Sequence, residues 1–328
     1  MSTMLDAQGG STGLPVRLRS SSGIAFLGAK VYGMGFVIDP DEAQEWIAKD
    51  TRNSEVLFPF LNGDDLNSRP DCCASRWVID FNDRSEEEAA TYPIPFARVL
   101  ERVKPERMKL FGRNSSGNDR ATNWWRFGRR TPALARAIAG LSEVLSIALV
   151  SKTVMPVRVP TRQVFSHALG VFATSDYGIQ AVLSSSLHQL WAITYGSTLE
   201  TRVRYTPSDV FETFPLPEIT GELAEVGLAL DQGRRVMMSR RNMGLTKLYN
   251  MVNDPTITPT NDHDIALLRD LHVQVDRAAA ASYGWSDIEL GHGHYAYRGI
   301  ERWSVSPTAR LALLERLLMK NHDAGNSK

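Results

Sequence analysis

Hydrophobic residues follow two different patterns along this chain. In the first two-thirds, short runs of β-branched and aromatic residues are separated by glycine, proline and polar turns, which is typical of strands. The predicted strands cover residues 24–27, 36–38, 56–58, 77–81, 144–150, 154–159 and 169–173. The last three runs follow each other at short spacing, so we expect them to be successive strands of one sheet.

Helix signals lie between these runs. Asp39 directly before Pro40 predicts the start of one helix, and Ser85 with Glu88 three residues later has the pattern of a capping box. Helical periodicity also predicts helices over 131–140 and 179–195.

The character of the chain changes at Phe214-Pro215-Leu216-Pro217, after which apolar residues recur at helical spacing. We therefore predict an α+β fold, in which a mixed, β-rich domain precedes a small α-helical domain. The expected divisions are a disordered start at 1–15, the β-rich domain at 16–217, the helical domain at 218–322 and a tail at 323–328.

Composition restricts the class of protein. With 43% hydrophobic and 23% charged residues, the chain is neither a disordered protein, a collagen nor a coiled-coil rod. Cys72 and Cys73 are adjacent and cannot link distant segments, which indicates a reducing compartment and predicts a cytoplasmic protein. No apolar run approaches the roughly 18 residues that span a bilayer, so no membrane contact is expected.

Charge is balanced overall but uneven along the chain. Lys+Arg and Asp+Glu both number 37. Residues 39–88 contain 14 acids and 5 bases, a net charge of −9, whereas residues 98–136 contain 11 bases and 3 acids, a net charge of +8. The basic block at 98–136 is a candidate binding surface for a polyanion, but the two blocks could equally pair with each other in the fold.

Motifs for catalysis are sparse. Tyr32-Gly33-Met34-Gly35-Phe36 is the one Gly-x-Gly segment that could hold a methyl-donor cofactor, and a turn or a close backbone approach explains it better. The sequence contains no Asn-Pro-Pro or Asp-Pro-Pro segment that would grip a flipped base. We therefore expect no catalytic residue and no cofactor in this chain.

Metal sites are not expected either. His292 and His294 are two residues apart without an obvious third ligand, so a structural role is favoured. Asp64 and Asp65 could serve a metal-dependent nuclease, but Asn62-Gly63-Asp64-Asp65 is more simply a tight turn.

Two clusters favour a binding surface instead. The first, 123–130, interleaves aromatic residues and arginines, which suits contacts to phosphates and bases, and it follows a polar segment at 112–123 that predicts a loop. In a strand, Trp124 and Trp125 would face opposite sides, one in the core and one at the surface; the alternative is that both belong to the core. In an extended 200–205 segment, Glu200, Arg202 and Arg204 share one face and could read base edges, although a surface strand with self-paired charges is a simpler alternative.

Several strings then resemble the MmeI-like DNA methyltransferases of type IIG (IIL) restriction–modification and phage-defence systems. The resemblance runs from about residue 16 to 322, and it rests on the strings 57–67, 76–81, 103–107, 124–125, 164–167, 195–202, 205–209, 214–215, 244–250 and 271–276.

The resemblance implies a target recognition domain and a helical C-terminal domain without the methyltransferase domain that carries the cofactor and base-flipping motifs. We therefore expect a non-enzymatic DNA-recognition subunit, split gene product or truncated remnant. Its partners would be double-stranded DNA and a separate methyltransferase domain or subunit that binds S-adenosylmethionine. A protein-interaction subunit or an inactive remnant remains the alternative, and a metal-dependent nuclease is disfavoured.

Candidate residues follow from the two clusters and this resemblance. Bases would be read by Glu200, Thr201, Arg202 and Arg204. The phosphate backbone would be bound by Arg113, Asn123, Trp125, Arg126, Arg129, Arg130, Lys152 and Arg162. Five bases of the helical part would brace the partner and the DNA, namely Arg234, Arg235, Arg240, Arg241 and Lys247.

Overall fold

Two four-stranded sheets organise the first two-thirds of the molecule. A computed structural model describes residues 13–199, 202–297 and 299–326. The strands are β1 (Ala25–Leu27), β2 (Val37–Ile38), β3 (Leu57–Leu61), β4 (Arg76–Ile79), β5 (Glu143–Ala148), β6 (Val150–Ser151), β7 (Val157–Pro160), β8 (Val164–Phe165), β9 (Leu169–Phe172), β10 (Ser197–Leu199), β11 (Arg202–Arg204), β12 (Gly293–Tyr297) and β13 (Ile300–Ser304).

Helices cover the sheets and form most of the last third. They are α1 (Pro40–Lys49), α2 (Gly63–Ser68), α3 (Glu86–Ala90), α4 (Pro93–Arg102), α5 (Lys104–Met108), α6 (Ser115–Thr122), α7 (Pro132–Ile138), α8 (Tyr177–Ser184), α9 (Ser186–Tyr195), α10 (Gly221–Arg240), α11 (Leu245–Val252), α12 (His263–Ser282) and α13 (Pro307–Asn326). The predicted α+β class is confirmed.

The first sheet has the strand order β1-β9-β5-β7, and all its pairs are antiparallel. This confirms that the runs near 144, 157 and 169 belong to one sheet. The second sheet, β2-β4-β3-β8, is antiparallel except for the β3–β8 pair. A small sheet, β10-β11-β6, extends from the end of β5, and β12 pairs with β13 in a separate hairpin.

Each large sheet has its own hydrophobic core. The second sheet packs on α1 and α4 around fully buried side chains such as Phe36, Phe81 and Val99. The first sheet packs on α8 and α9, and this core continues through α10, α12 and α13. The core of the first sheet therefore includes residues on both sides of residue 217, and the predicted domain boundary near that position stays a prediction.

Local capping signals were reliable guides to helix starts. Ser85 Oγ accepts a hydrogen bond from the Glu88 N–H while the Glu88 carboxylate accepts from the Ser85 N–H, which confirms the predicted capping box. Pro40 begins α1, as predicted, but the Asp39 side chain makes no hydrogen bond to cap the helix. Trp46 on that helix is buried.

Four local predictions were wrong in detail. Residues 115–122 of the predicted loop form α6, whose first turn is capped by the Asn114 side chain. Asn62 caps α2, so the predicted tight turn is a helix N-terminus. The predicted helix over 179–195 is two helices, because extended Ser185 ends α8 and caps α9. The predicted helical part also contains the β12–β13 hairpin.

Within the described part of the chain, no helix is both long enough and apolar enough to cross a membrane.

Candidate nucleic-acid interface

An open cleft of about 930 Å³ lies between the two cores, and we call it the main cleft. One wall consists of the segment 31–37 and residues of β3, α2 and β4. The other wall consists of residues 148–152 at the end of β5, residues 166–168 and the start of α11. Gly244 allows this closure, since a Cβ there would collide with the backbone of Ser68 at the end of α2.

Exposed cations line the main cleft. Arg76 on β4, Lys152 directly after β6 and Lys247 on α11 are all exposed. Asp64 is the one acid among the described residues that line it. Three cations facing one carboxylate give this cavity a positive surface that suits a polyanion.

Two further cations lie beside the cleft. These cations are Lys30 and Arg129, which are neighbours of the cleft residue His167. Partial burial and the charges of these two cations lower the pKa of His167. Arg129 donates one hydrogen bond to the Gly28 carbonyl, at 3.2 Å, and remains exposed. Of the predicted phosphate contacts, Lys152 and Arg129 therefore lie where a backbone could reach them.

The predicted base-reading segment adjoins this cleft. Strand β11 pairs with β6, with Arg204 opposite Val150 and Val203 opposite Ser151, so the strand is attached to the cleft wall. Arg204 is exposed, whereas Val203 is buried, which agrees with the expected alternation of faces. Arg202 begins β11. Glu200 and Thr201 lie outside the described residues.

The two tryptophans of the cluster at 123–130 face inward. Trp124 and Trp125 are both buried, so the expectation that one ring faces the surface is wrong. The Trp125 indole N–H donates to the Arg84 carbonyl at 3.0 Å. Arg126 donates to the same carbonyl at 2.7 Å and to that of Asp83 at 2.8 Å, so its guanidinium closes a turn rather than facing solvent.

Arg107 is a buried cation of the basic block. It is 2% exposed, and its guanidinium donates to the carbonyls of Val31 at 2.8 Å and Tyr32 at 3.0 Å, and also to that of Arg126. Burial lowers its pKa to about 10. The side chain therefore ties the segment 31–32 to the end of the tryptophan cluster.

The acidic and basic blocks pair in part, as the simpler alternative predicts. Ion pairs across the two blocks join Arg98 to Glu42, Lys104 to Glu86 and Arg130 to Asp83. These contacts pair three of the eleven bases that the sequence places at 98–136.

A second cavity, of about 370 Å³, contains two of the predicted phosphate-binding arginines, Arg130 and Arg162. Asp80 also lines it, and burial raises the pKa of this carboxyl to about 6. The structure thus separates the predicted phosphate-binding residues, because Lys152 lines the main cleft whereas Arg130 and Arg162 line the second cavity. Arg113 lies exposed before α6, and Asn123 ends that helix with its amide bonded to Asp119 at 2.9 Å.

Most cations of the helical part are also engaged. Arg234 is 1% exposed and lies beside Asp231, which also accepts from Arg235 at 2.8 Å. Arg240 and Arg241 pair with acids at the start of α12. Only Lys247 of the predicted five lines the main cleft.

The residues proposed for metal chemistry have structural partners. Asp65 is buried and accepts from the Asn62 amide at 2.7 Å. His292 lies 2.8 Å from the Asp276 carboxylate, and His294 lies beside Arg269. Among the residues that the structure describes, no three His, Cys, Asp or Glu side chains are grouped for a metal ion.

The second glycine of the Gly-x-Gly segment is closely packed. A Cβ on Gly35 would lie 2.7 Å from the Arg102 Cβ, so the space that this glycine leaves is filled by α4. The predicted close backbone approach is confirmed. The same segment supplies Tyr32 and Met34 to the rim of the main cleft, a position that the sequence did not indicate.

Comparison with known proteins places this geometry in context. The family model "MmeI, target recognition domain" matches residues 21–218, which is more than half of the chain. A solved structure of the type IIL restriction–modification enzyme MmeI in complex with DNA is similar over 97% of this chain, with a TM-score of 0.67 and 18% sequence identity. The chain spans 38% of the length of that protein. No curated protein matches the sequence. The match of the family model shows that this chain belongs to the MmeI target recognition domain family.

Proposed function

We propose that this chain recognises a specific sequence in double-stranded DNA and holds it for a site-specific adenine methyltransferase of a restriction–modification or phage-defence system. The observation that carries the proposal is the family match over 21–218. The solved relative, a DNA complex, supports it through the shared fold.

The main cleft is the surface on which the duplex would lie. Lys152 belongs to the predicted β-rich domain and Lys247 to the predicted helical domain, and both line the cleft. Together they could contact phosphates along one DNA backbone. Arg129 would add a contact at the edge. These contacts position the duplex without reading its sequence.

The β10–β11 ribbon would read the bases. Because β11 is hydrogen-bonded to the cleft wall at β6, with Arg204 opposite Val150, the strand adjoins the phosphate-binding cations. Arg202 and Arg204 offer paired N–H donors for guanine O6 and N7, and Glu200 offers an acceptor for cytosine N4. A two-stranded ribbon is narrow enough to enter the major groove.

Methyl transfer itself would be performed by a methyltransferase domain or subunit that binds S-adenosylmethionine. In this arrangement, the chain contributes binding energy and orientation, while the partner flips and modifies the base.

Selection of bound duplexes from a random-sequence pool tests the proposal. We expect the wild-type chain, alone or with a co-expressed methyltransferase, to enrich one sequence. Arg202→Ala should weaken binding of that sequence by about 1–3 kcal/mol and relax selection at one base pair. Arg202→Lys keeps the charge but loses the paired donors, so it should retain non-specific affinity without the selection. Failure of the wild type to bind any duplex, with or without the methyltransferase, would instead favour a protein-interaction subunit.

A further inference from the structure

A short apolar projection stands on the rim of the main cleft. Met34 is 69% exposed and Tyr32 is 50% exposed, and both line the cavity between the two cores. The residues that follow turn sharply inward: Gly35 is buried and Phe36 is fully buried. Met34 is thus the outermost side chain of a turn whose next residues are anchored in the core.

The backbone of this turn is held rigidly from inside. The buried Arg107 guanidinium binds the carbonyls of Val31 and Tyr32, and it lies 5.0 Å from the centre of the Phe36 ring. Phe36 packs edge-on against Phe127 at 5.4 Å. The turn is therefore anchored in the core on both sides of Met34.

Backbone strain is concentrated at the same place. Tyr32 has a φ of +49° and Gly33 a φ of +147°, both in the left-handed range. A non-glycine residue in this range is uncommon and has an energetic cost that the surrounding contacts must offset. The contacts around Tyr32 therefore hold this residue, two positions before Met34, in an unfavourable backbone conformation.

Cations surround the base of the projection. The Arg120 guanidinium lies 4.9 Å and the Lys30 ammonium 5.8 Å from the centre of the Tyr32 ring. The Tyr32 ring is thereby engaged at its faces, which leaves Met34 as the free apolar tip. An apolar tip with positive charges around its base is complementary to stacked bases between two phosphate backbones.

We propose that Met34 is a wedge that inserts between adjacent base pairs of a DNA duplex in the main cleft. This inference rests on the proposed function. Insertion of an apolar side chain unstacks one base step and bends the duplex, which brings more of its backbone against the cleft. Tyr32 and Arg107 are positioning residues that hold the wedge.

Binding to two otherwise identical duplexes tests the wedge, one fully paired and one with a central mismatch. A mismatched step is already partly unstacked, so the wild-type chain should bind it about tenfold more tightly than the paired duplex. Met34→Ala should bind the two duplexes equally, and Met34→Leu should restore the preference. Met319→Ala, which removes a methionine of similar exposure on α13, should keep the full preference.

The fluorescence of a 2-aminopurine base at the central step of the fully paired duplex gives a second test of insertion. Its fluorescence should rise when the wild type binds, because the base loses its stacked neighbour, and it should stay unchanged with Met34→Ala. Equal binding of both duplexes by the wild type, or a preference that survives in Met34→Ala, would overturn the wedge while leaving DNA recognition intact. Absence of binding to either duplex would overturn the proposed function itself.

Discussion

The basic block at 98–136 and the main cleft use their positive charges in different ways. In the block, Arg107 and Arg126 donate to backbone carbonyls, and three other cations pair with acids of the 39–88 segment. In the cleft, Arg76, Lys152 and Lys247 are exposed. Five of the eleven cations of the block thus support the fold, whereas the three cations of the cleft are exposed and accessible to a ligand.

This difference shows why the density of arginine is a poor measure of a binding surface. A guanidinium has five donors and can replace several backbone hydrogen bonds at once, so a buried arginine is an effective connector of irregular segments. A lysine on the wall of a cleft does less for the fold and keeps its charge available.

The largest expected effect is the loss of stability when the buried Arg107 of the basic block is replaced. Arg107→Met would leave the carbonyls of Val31, Tyr32 and Arg126 without their buried donor. We expect the free energy of unfolding to fall by about 3 kcal/mol, measured by urea denaturation. Lys109→Met, at an exposed position of the same block, should change stability little. Equal stabilities of the two variants would contradict the framework role.

Acid should destabilise the interior in a predictable direction. Burial lowers the pKa of His188 and of His272 to about 4. Since a histidine in the unfolded chain has a pKa near 6.5, the unfolded state takes up protons first, and stability is lost as the pH falls from about 6.5 to 4. Each group should cost about 2 kcal/mol at about pH 5.

Asp80 acts in the opposite sense in part of this window. Its pKa is raised to about 6, so the folded state binds that proton first and gains stability as the pH falls from about 6 to 4. Two histidines against one carboxyl leave a net loss. Urea unfolding at a series of pH values should show it, with a shallower slope for His188→Gln and an unchanged slope for His263→Gln, whose side chain is exposed. An unchanged slope in the first variant would refute this origin.

The smallest expected effect is on the salt dependence of DNA binding, which distinguishes the cations of the main cleft from those of the basic block. Lys152→Ala and Lys247→Ala should each lower the slope of log affinity against log salt by about one unit, uniformly across DNA sequences. Arg126→Ala should leave that slope unchanged, because its guanidinium contacts carbonyls of the chain. Anisotropy titrations of a mixed-sequence duplex at several salt concentrations measure all three, and a reversal of the pattern would move the interface to the basic block.

Local signals predicted local structure well. The β-branched runs near 144 and 169 form strands β5 and β9, and the Ser85 capping box is present, because strand propensity and capping both depend on residues close in sequence. Helix α6 was missed because its small polar residues have weak helix propensity and its stability depends on the Asn114 cap and on packing.

The direction of single charged side chains could not be predicted in the same way. Arg107 turns inward because carbonyls 75 and 76 residues away converge on it, and no local pattern records that convergence. Arg76 was missed as a cleft residue, since a charge at the start of a strand is common on any surface. Lys152 was predicted as a contact and does line the cleft, although its role in binding stays a prediction.

Hydrogen–deuterium exchange with and without a selected DNA duplex tests the central claim most directly. The account predicts that DNA slows exchange of amides at 150–152, 202–204 and 246–247, which bound or adjoin the main cleft, and leaves α4 to α6 unchanged. Slower exchange across the basic block with no change in the cleft would contradict it.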